Sequence, residues 1–352
     1  MSYKKDKTEK IIFAVESSCD ETAAAVLKCD GLKVEILSDV IWSQTAIHKK
    51  YGGVVPEIAS RSHAEVIDKV GNEAVTQAGI TFQDIDFIAA TCGAGLNGAL
   101  LSGLCYAKAL SFSLQIPFIG VNHIRGHIAA NYIGTDLKPP FVALTASGGH
   151  SSIVHVRGYD AFTVIGSTLD DAAGEAFDKV SRTLGLGYPG GPAIEKAAQG
   201  GNDNINFYKR PLKSLGYDFS YSGLKTAVIN YINTERQNGD LTQKQISDIA
   251  ASFQKAALDM LLRGVENAFS DNGLDTLALA GGVAANVLLR QRLQRLTKEK
   301  GVKLYIPPLS LCGDNAAMIG AAAWFKYYEK KEAAFSPLSL NAAPSLKISE
   351  DA

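Results

Sequence analysis

The sequence has few cysteines and no long apolar run. Its five cysteines form no CxxC pair, which argues against a disulfide framework or a thiolate zinc site and favours a reducing compartment. No uninterrupted apolar stretch approaches the roughly 20 residues that span a bilayer. The first ten residues are charged and do not form a signal peptide. We therefore expect a cytoplasmic protein with no membrane partner.

An excess of charge and the common nucleotide fingerprints are also absent. The formal net charge is −1, so a nucleic-acid partner would need a local basic patch or a second protein. Two basic stretches, 209–213 and 290–303, are modest, and a solvated surface explains each taken singly. The GxxxxGK[ST] loop and the GxGxxG fingerprint are both missing, which excludes a P-loop enzyme and argues against a dinucleotide-binding domain.

What is present is a pattern of elements that occurs twice. An apolar strand at 11–16, a polar bend and a returning strand at 22–27 open the first copy, and 141–146 with 151–156 open the second. Helices and strands alternate after each hairpin, and 352 residues exceed what one core usually supports. The pattern predicts a duplicated α/β fold with these parts: a first lobe at 11–135 completed by a helix at 313–330, a second lobe at 138–312 with a helical insertion at about 172–235, and a flexible polar tail at 336–352.

A pair of histidines is the first candidate site. His123 and His127 are four residues apart, so a helix would place both imidazoles on one face, close enough to share an ion. They follow an apolar strand, and Asp314 at the start of a small-residue helix is a suitable third ligand. Two ordinary histidines near a helix start are the alternative. Ile124 occupies the position of the zincin glutamate, and two histidines with one carboxylate suit iron(II) or zinc.

Loops rich in small residues are the second candidate site. The bends at 17–21 and 147–152 offer backbone N–H groups and hydroxyls, which phosphate oxygens require. The glycines at 281–286 follow a buried strand, and Asn286 could hydrogen-bond an adenine or ribose. Tight strand–helix packing would explain these glycines equally. The turn at 188–192 could form a wall of the same pocket.

An acidic segment at 169–179 completes the candidates. We expect Asp170 or Asp171 to cap the helix that follows. Asp178 lies about two turns further on, where capping does not explain it, and is better placed to meet a ribose or an amine.

Taken in order, these segments resemble the bacterial TsaD family, whose members transfer a threonylcarbamoyl group to the adenosine beside the anticodon of certain tRNAs. The resemblance covers about 11–328. Ala94 stands where the family has a proline, and VAAN at 283–286 where it has VSAN; both changes keep small residues. The matching motifs are VESSCDETAAAV, YGGVVPEIASRSH, HIRGH, SGGH, DDAAGEAFDK, YPGGP, FSYSGLKT, GGVAAN and CGDNAAM.

The resemblance implies the two-lobed fold of actin, sugar kinases and heat-shock ATPases. It implies transfer from threonylcarbamoyl-AMP to N6 of the adenosine 3′ of the anticodon in tRNAs that read ANN codons, with one divalent ion per subunit, iron(II) in preference to zinc. Expected partners are tRNA, a metal-free TsaB-like paralogue and a small TsaE-like P-loop ATPase. The residues carried over are His123, His127 and Asp314 for the metal; Thr145, Ala146, Ser147, Gly148, Gly149, Asp178, Gly191, Glu195 and Asn286 for the donor; and Asp20 and Glu21 facing the reaction.

Several other functions compete with this hypothesis. A metal-dependent protease of glycoproteins would need a general base, and the absence of a glutamate after His123 counts against it. A sugar kinase or ATPase of the same fold would use a magnesium-bound triphosphate and no histidine pair. A metal-free scaffold is disfavoured because every motif is present. A carbamoyltransferase acting on a small hydroxyl compound would use the same pocket.

Overall fold

The computed structural model describes residues 8–208 and 215–350. These residues form two lobes, each built on a five-stranded mixed sheet. The basic stretch at 209–213 lies outside the described residues. Among the described helices, none is both long enough and apolar enough to cross a bilayer.

The first lobe is a sheet with helices on both faces. Strand β1 is buried from Ile12 onward because its apolar residues meet helices on either side. The sheet order is β3-β2-β1-β4-β5, with an antiparallel β1-β2-β3 meander and with β4 and β5 parallel to β1. Its elements are β1 (Lys10–Glu16), β2 (Glu21–Asp30), β3 (Lys33–Ser43), α1 (Thr45–His48), α2 (Pro56–Gln77), β4 (Phe87–Gly93), α3 (Asn97–Leu114), β5 (Phe118–Asn122) and α4 (His123–Ala129).

The second lobe repeats this topology. Its order, β8-β7-β6-β9-β10 read from the meander side, matches that of the first sheet strand for strand. The sequence prediction of a duplicated architecture therefore matches the sheet topology. The elements are β6 (Phe141–Ala146), β7 (Ser151–Gly158), β8 (Ala161–Ser167), α5 (Ala173–Leu184), α6 (Gly190–Ala198), α7 (Ser222–Arg236), α8 (Gln243–Asn272), β9 (Thr276–Ala280), α9 (Val287–Lys300) and β10 (Lys303–Tyr305).

The last helix, α10 (Ala316–Lys330), returns to the first lobe and packs on β1 and β2. Gly320 makes this approach possible, since a Cβ there would lie 2.4 Å from Leu27 Cδ1. Asn315 caps the helix by accepting a hydrogen bond from the Met318 N–H at 2.8 Å. The residue that precedes the cap, Asp314, is thereby fixed at the junction of the two lobes.

Helices α5, α6 and α7 occupy the range of the predicted insertion at 172–235. Helix α8 precedes β9 as α2 precedes β4 in the first lobe, so it belongs to the repeated topology and not to the insertion. A capping box starts α8: the Thr242 N–H donates to Gln245 Oε1 at 2.9 Å, and Thr242 Oγ1 accepts from the Gln245 N–H at 3.3 Å.

The prediction of a flexible tail at 336–352 is wrong for the described part, 336–350. This segment covers β5, the edge strand of the first sheet: the Ser336 N–H donates to Phe118 O at 2.8 Å, and Ser336 Oγ accepts from the Gly120 N–H at 3.0 Å. The composition is polar, but apolar side chains spaced along it pack into the first lobe. They are Leu340, Leu346 and the buried Ile348.

Candidate metal centre and nucleotide pocket

The predicted histidine ligands lie on α4. Asn122 begins this helix by accepting hydrogen bonds from the Ile124 N–H at 2.9 Å and the Arg125 N–H at 3.3 Å. His123 and His127 are therefore one turn apart, with ring centroids 4.6 Å from each other. Both side chains are buried.

Asp314 completes a three-residue cluster. Its Oδ1 lies 3.5 Å from His123 Nε2 and 3.3 Å from His127 Nε2. One ligand atom from each residue falls within 4.8 Å of the others. Gly126 lets α4 and α10 approach, because a Cβ there would lie 2.6 Å from Ile319 Cδ1. The structure thus brings together the three residues that the sequence predicts as ligands.

The electrostatics of this cluster fit a cation. Burial disfavours the charged imidazole of His123, but the carboxylates of Asp314 and Glu16 outweigh it and raise its pKa to about 9. Burial likewise opposes ionisation of Asp314, yet the charges of the two histidines lower its pKa to about 2. Neither ring nitrogen of buried His127 has a hydrogen-bond partner among the described residues. Unpaired buried nitrogens beside a carboxylate are what a metal ion would satisfy.

Glu16, at the end of β1, is a functional residue that the sequence interpretation missed. Its Oε2 lies 3.1 Å from His123 Nδ1 and accepts a hydrogen bond from Thr91 Oγ1 at 2.5 Å. Its Oε1 accepts from the Ser18 N–H at 2.5 Å. Because a carboxylate only accepts, His123 Nδ1 carries the proton and Nε2 turns towards Asp314. The signal in the sequence that could have identified Glu16 is its position, since it is a charged residue at the end of an otherwise apolar strand.

Asp20 lies in the bend after β1 and contacts Tyr188 of the second lobe, and Glu21 is the first residue of β2. The Tyr188 hydroxyl donates to Asp20 Oδ2 at 3.4 Å, and Ser43 Oγ donates to Glu21 Oε1 at 3.0 Å. Burial, and then the charges of Asp20 and Asp314, raise the pKa of Glu21 to about 9. Glu21 is consequently protonated at neutral pH and can donate a hydrogen bond.

A cavity of about 250 Å³ opens in the second lobe. Five of the predicted donor-binding residues line it, together with Tyr188 and the ring of Phe177. The predicted residues that line the cavity are Gly148, Asp178, Gly191, Glu195 and Asn286.

The remaining predicted donor residues are not among those that line the cavity. Thr145 and Ala146 are buried at the end of β6, and the Thr145 hydroxyl bonds the Ser152 hydroxyl at 2.6 Å. Ser147 is half-buried and Gly149 exposed in the bend that follows. The Ser147 N–H donates to His150 O at 2.8 Å, which closes the bend.

Capping explains more of the acidic segment than the sequence suggested. Asp178 accepts from the Gly190 N–H at the start of α6 at 2.6 Å, and its contact with a ribose or an amine stays a prediction. The prediction that Asp170 or Asp171 caps the next helix is wrong, because the first N–H of α5, that of Ala173, donates to Ser151 Oγ at 2.9 Å. Asp170 instead accepts from the backbone N–H of Tyr221 at 2.7 Å at the start of α7. Local sequence patterns cannot predict such a bond, because its two partners lie about fifty residues apart in the chain.

Two further polar residues of the pocket have structural partners. Glu195 Oε1 accepts from the Val287 N–H at 2.7 Å, which ties α6 to α9. Asn286 caps α9 through the Leu289 N–H at 2.9 Å and donates to Gln254 Oε1 at 3.0 Å. The pocket wall is therefore rigid, since its polar side chains are fixed by the helices that they join.

The bend at 147–150 borders the cavity, because Gly148 is one of its lining residues. Desolvation of the ring, and then the charges of His123 and His127, lower the pKa of His150, the last residue of this bend, to about 4. The charges of the cluster therefore act on the bend that borders the cavity.

Two lobes of the same topology, with a nucleotide-sized cavity in the second lobe, are typical of the actin-like class of proteins. Full-length HypF in a phosphate- and nucleotide-bound form has this fold, with a TM-score of 0.59, 14% identity, and coverage of 93% of this chain and 47% of HypF. The activator of 2-hydroxyisocaproyl-CoA dehydratase from Clostridium difficile gives a TM-score of 0.51 at 12% identity, covering 94% of this chain and 99% of the activator. The predicted fold class is confirmed.

Comparison with known sequences identifies one family within this fold class. Residues 35–321 match the model of TsaD, tRNA N6-adenosine threonylcarbamoyltransferase. Proteins of that name from Clostridioides difficile strain 630 and Clostridium beijerinckii are 51% and 53% identical to this chain, each covering 97% of it and 99% of the relative. The chain belongs to the TsaD family, and the resemblance seen in its motifs is confirmed.

Proposed function

We propose that the protein transfers the threonylcarbamoyl group of threonylcarbamoyl-AMP to N6 of the adenosine 3′ of the anticodon in tRNAs that read ANN codons. Membership of the TsaD family supports the transferase activity and the tRNA substrate. The observation that carries the proposal for this chain is the presence together of the His123, His127 and Asp314 cluster and a cavity lined by five of the predicted donor-binding residues.

The cavity is suited to the adenylate part of the donor. Its walls combine an aromatic ring, prolines and glycines, which accept a flat base, with the Asn286 amide and the Asp178 and Glu195 carboxylates. The turn after β9 packs closely against the end of β6, because Gly281 has φ 90° and has no Cβ to clash with Ala146 O. The backbone of this turn can therefore contact the adenylate in the cavity. The mixed anhydride of the donor would follow the bend at 147–150, whose backbone N–H groups can stabilise developing negative charge.

His123, His127 and Asp314 are the residues that would hold one divalent ion, and we propose iron(II) in preference to zinc. Such an ion supplies Lewis-acid polarisation of an oxygen when bound. Glu16 fixes the His123 ring so that Nε2 is the donor atom. The two lobes contribute to the reaction separately, since this cluster lies on the first and the cavity on the second.

The transfer itself requires one bond to form and one to break. The exocyclic amine attacks the carbamoyl carbon, a C–N bond forms, and the C–O bond to the phosphate breaks with its electron pair leaving on AMP. The amine loses a proton, for which Asp20 is our candidate acceptor. Glu21 is protonated at neutral pH and would donate a hydrogen bond instead. Burial, with the charges of Asp20 and Asp314, holds the pKa of the Cys19 thiol well above 9.0, which disfavours a covalent intermediate.

The rival functions make different demands on this site. A glycoprotein protease would need a general base one residue after His123, where Ile124 is buried in the core. A sugar kinase would need no histidine pair. The TsaB-like paralogue, the TsaE-like ATPase and the cytoplasmic location stay predictions, and we include them in the proposal.

The test is a reconstituted transfer reaction. Purified protein is mixed with unmodified tRNA, threonine, bicarbonate, ATP and the bacterial partner proteins, and the nucleosides are analysed by mass spectrometry. We expect threonylcarbamoyladenosine from the wild type and none from the His123→Ala/His127→Ala variant. His155→Ala, a half-buried histidine on β7, is the matched control and should remain active. Normal transfer by the metal-free double variant would contradict the proposal.

A further inference from the structure

The loop between β3 and α2 exposes two cations and an aromatic ring in succession. Lys49 and Lys50 are exposed, and Tyr51 retains 60% of its surface. Lysines neutralise phosphates, and an exposed ring offers a surface on which a base can stack. This sequence of side chains is therefore typical of a contact to single-stranded nucleic acid.

The base of the loop is fixed to the reaction site. The Gln44 N–H donates to Asp20 O at 3.0 Å, and the neighbouring Ser43 hydroxyl contacts Glu21. His48 is fully buried, with Nε2 3.1 Å from Gln44 Oε1. The exposed tip thus stands on a rigid base, at a set position relative to Asp20.

The tip also faces the second lobe. The Arg182 guanidinium, on the exposed side of α5, donates to Gly52 O. The Tyr188 hydroxyl of the second lobe also bonds Asp20 of the first, so both contacts cross the cleft between the lobes. Three cationic side chains and one exposed ring therefore lie where the loop that ends at Gly52 meets α5 across this cleft.

Three arginines of the described chain are held by partners elsewhere. Arg290 donates to Ala284 O at 2.6 Å and to Pro307 O at 2.9 Å, and Arg292 pairs with Asp259. Arg61, on α2 near the loop, is paired with Glu57 at 2.6 Å. With a net charge of −1, the protein has to attract RNA through a local surface such as the loop.

We propose that Lys49, Lys50, Tyr51 and Arg182 form the docking surface for the anticodon loop of the acceptor tRNA. Tyr51 stacks on a base next to the target adenosine, and the three cations contact the flanking phosphates. The inference rests on the proposed function, because only a tRNA acceptor has to place an unpaired adenosine in this cleft.

The experiment measures steady-state transfer with purified threonylcarbamoyl-AMP and tRNA in the presence of the partner proteins. Lys49→Ala/Lys50→Ala should raise KM for tRNA about tenfold and lower the salt dependence of kcat/KM, with KM for the donor unchanged. Tyr51→Ala should raise KM for tRNA by a similar factor, and Tyr51→Phe, which keeps the ring, should stay near wild type. Thermal unfolding confirms that each variant is folded.

Lys298→Ala/Lys300→Ala is the matched control, since it removes two exposed charges from the far end of α9. If the loop variant raises KM for tRNA no more than this control, or if Tyr51→Ala behaves like Tyr51→Phe, the docking surface is wrong and the transferase assignment stands. If the wild type forms no modified nucleoside, both proposals fail.

Discussion

Replacing Glu16 by glutamine tests whether this buried carboxylate prepares the metal centre. All three groups around it donate: the Ser18 N–H to Oε1, and Thr91 Oγ1 and His123 Nδ1 to Oε2. Glutamine has one accepting oxygen and one donating NH₂ group, so at least one donor must face another donor.

The arrangement of least cost places the NH₂ group against the Ser18 N–H and keeps the bonds of Thr91 and His123. Leaving one buried donor unsatisfied costs about 1–3 kcal/mol of folding free energy. Losing the negative charge also makes His123 a weaker ligand, and changes of this kind reduce metal affinity about 10–100-fold, or about 1.4–2.7 kcal/mol. The loss of folding free energy is measured on the metal-free protein, so it can be separated from the loss of metal affinity.

The assay is a competition titration of Zn²⁺ or Fe²⁺ against a chelator of known affinity, with urea unfolding of the metal-free protein in parallel. Glu299→Gln, an exposed carboxylate on α9, controls for the loss of one negative charge. Metal affinity of Glu16→Gln within twofold of the wild type would refute the assignment of Glu16 as the residue that positions His123.

Three further outcomes are expected. Gly174→Ala should weaken donor binding at least tenfold by calorimetry and lower Tm, because the new Cβ would lie 2.6 Å from Ser147 O and 2.7 Å from Gly148 Cα, backbone atoms that can move away only by displacing the bend at 147–150; unchanged affinity would contradict this. Burial opposes ionisation of Asp171, but hydrogen bonds from Lys225, Lys179 and Ser222 hold its pKa well below 3.8, so its stabilisation is present above about pH 4 and lost as the pH falls further. Asp171→Asn should therefore lower Tm at pH 7 and flatten the decline in Tm between pH 5 and pH 3; equal slopes would exclude this role. Ending the chain at residue 335 should lower the free energy of unfolding by about several kcal/mol, and with it the urea midpoint, since it uncovers β5 and leaves Asn122 and Arg125 without the carbonyls of 346–350; a midpoint like that of the full chain would disprove the packing role of the tail.

The sequence predicted correctly those features that depend on contacts between residues close together in the chain. The paired hairpins and the spacing of His123 and His127 depend on neighbours within a few residues, and the structure places them as expected. The insertion predicted at about 172–235 likewise coincides with α5, α6 and α7.

Long-range contacts account for the remaining errors. Glu16 serves His123 across more than one hundred residues, and Asp170 caps a helix that begins about fifty residues later. The tail looked unstructured because its apolar residues are widely spaced, and only the exposed edge of β5 gives them a place to pack. No window of sequence contains both partners of these contacts.

The return of α10 to the first lobe affects how the protein is made. The histidines come from α4, but Asp314 is synthesised only after the whole second lobe. A nascent chain therefore carries two residues of the cluster long before the third, and it cannot complete the cluster until both lobes have left the ribosome. Loading of the proposed ion would for this reason come late in maturation, and a fragment that ends before residue 314 would lack the carboxylate altogether.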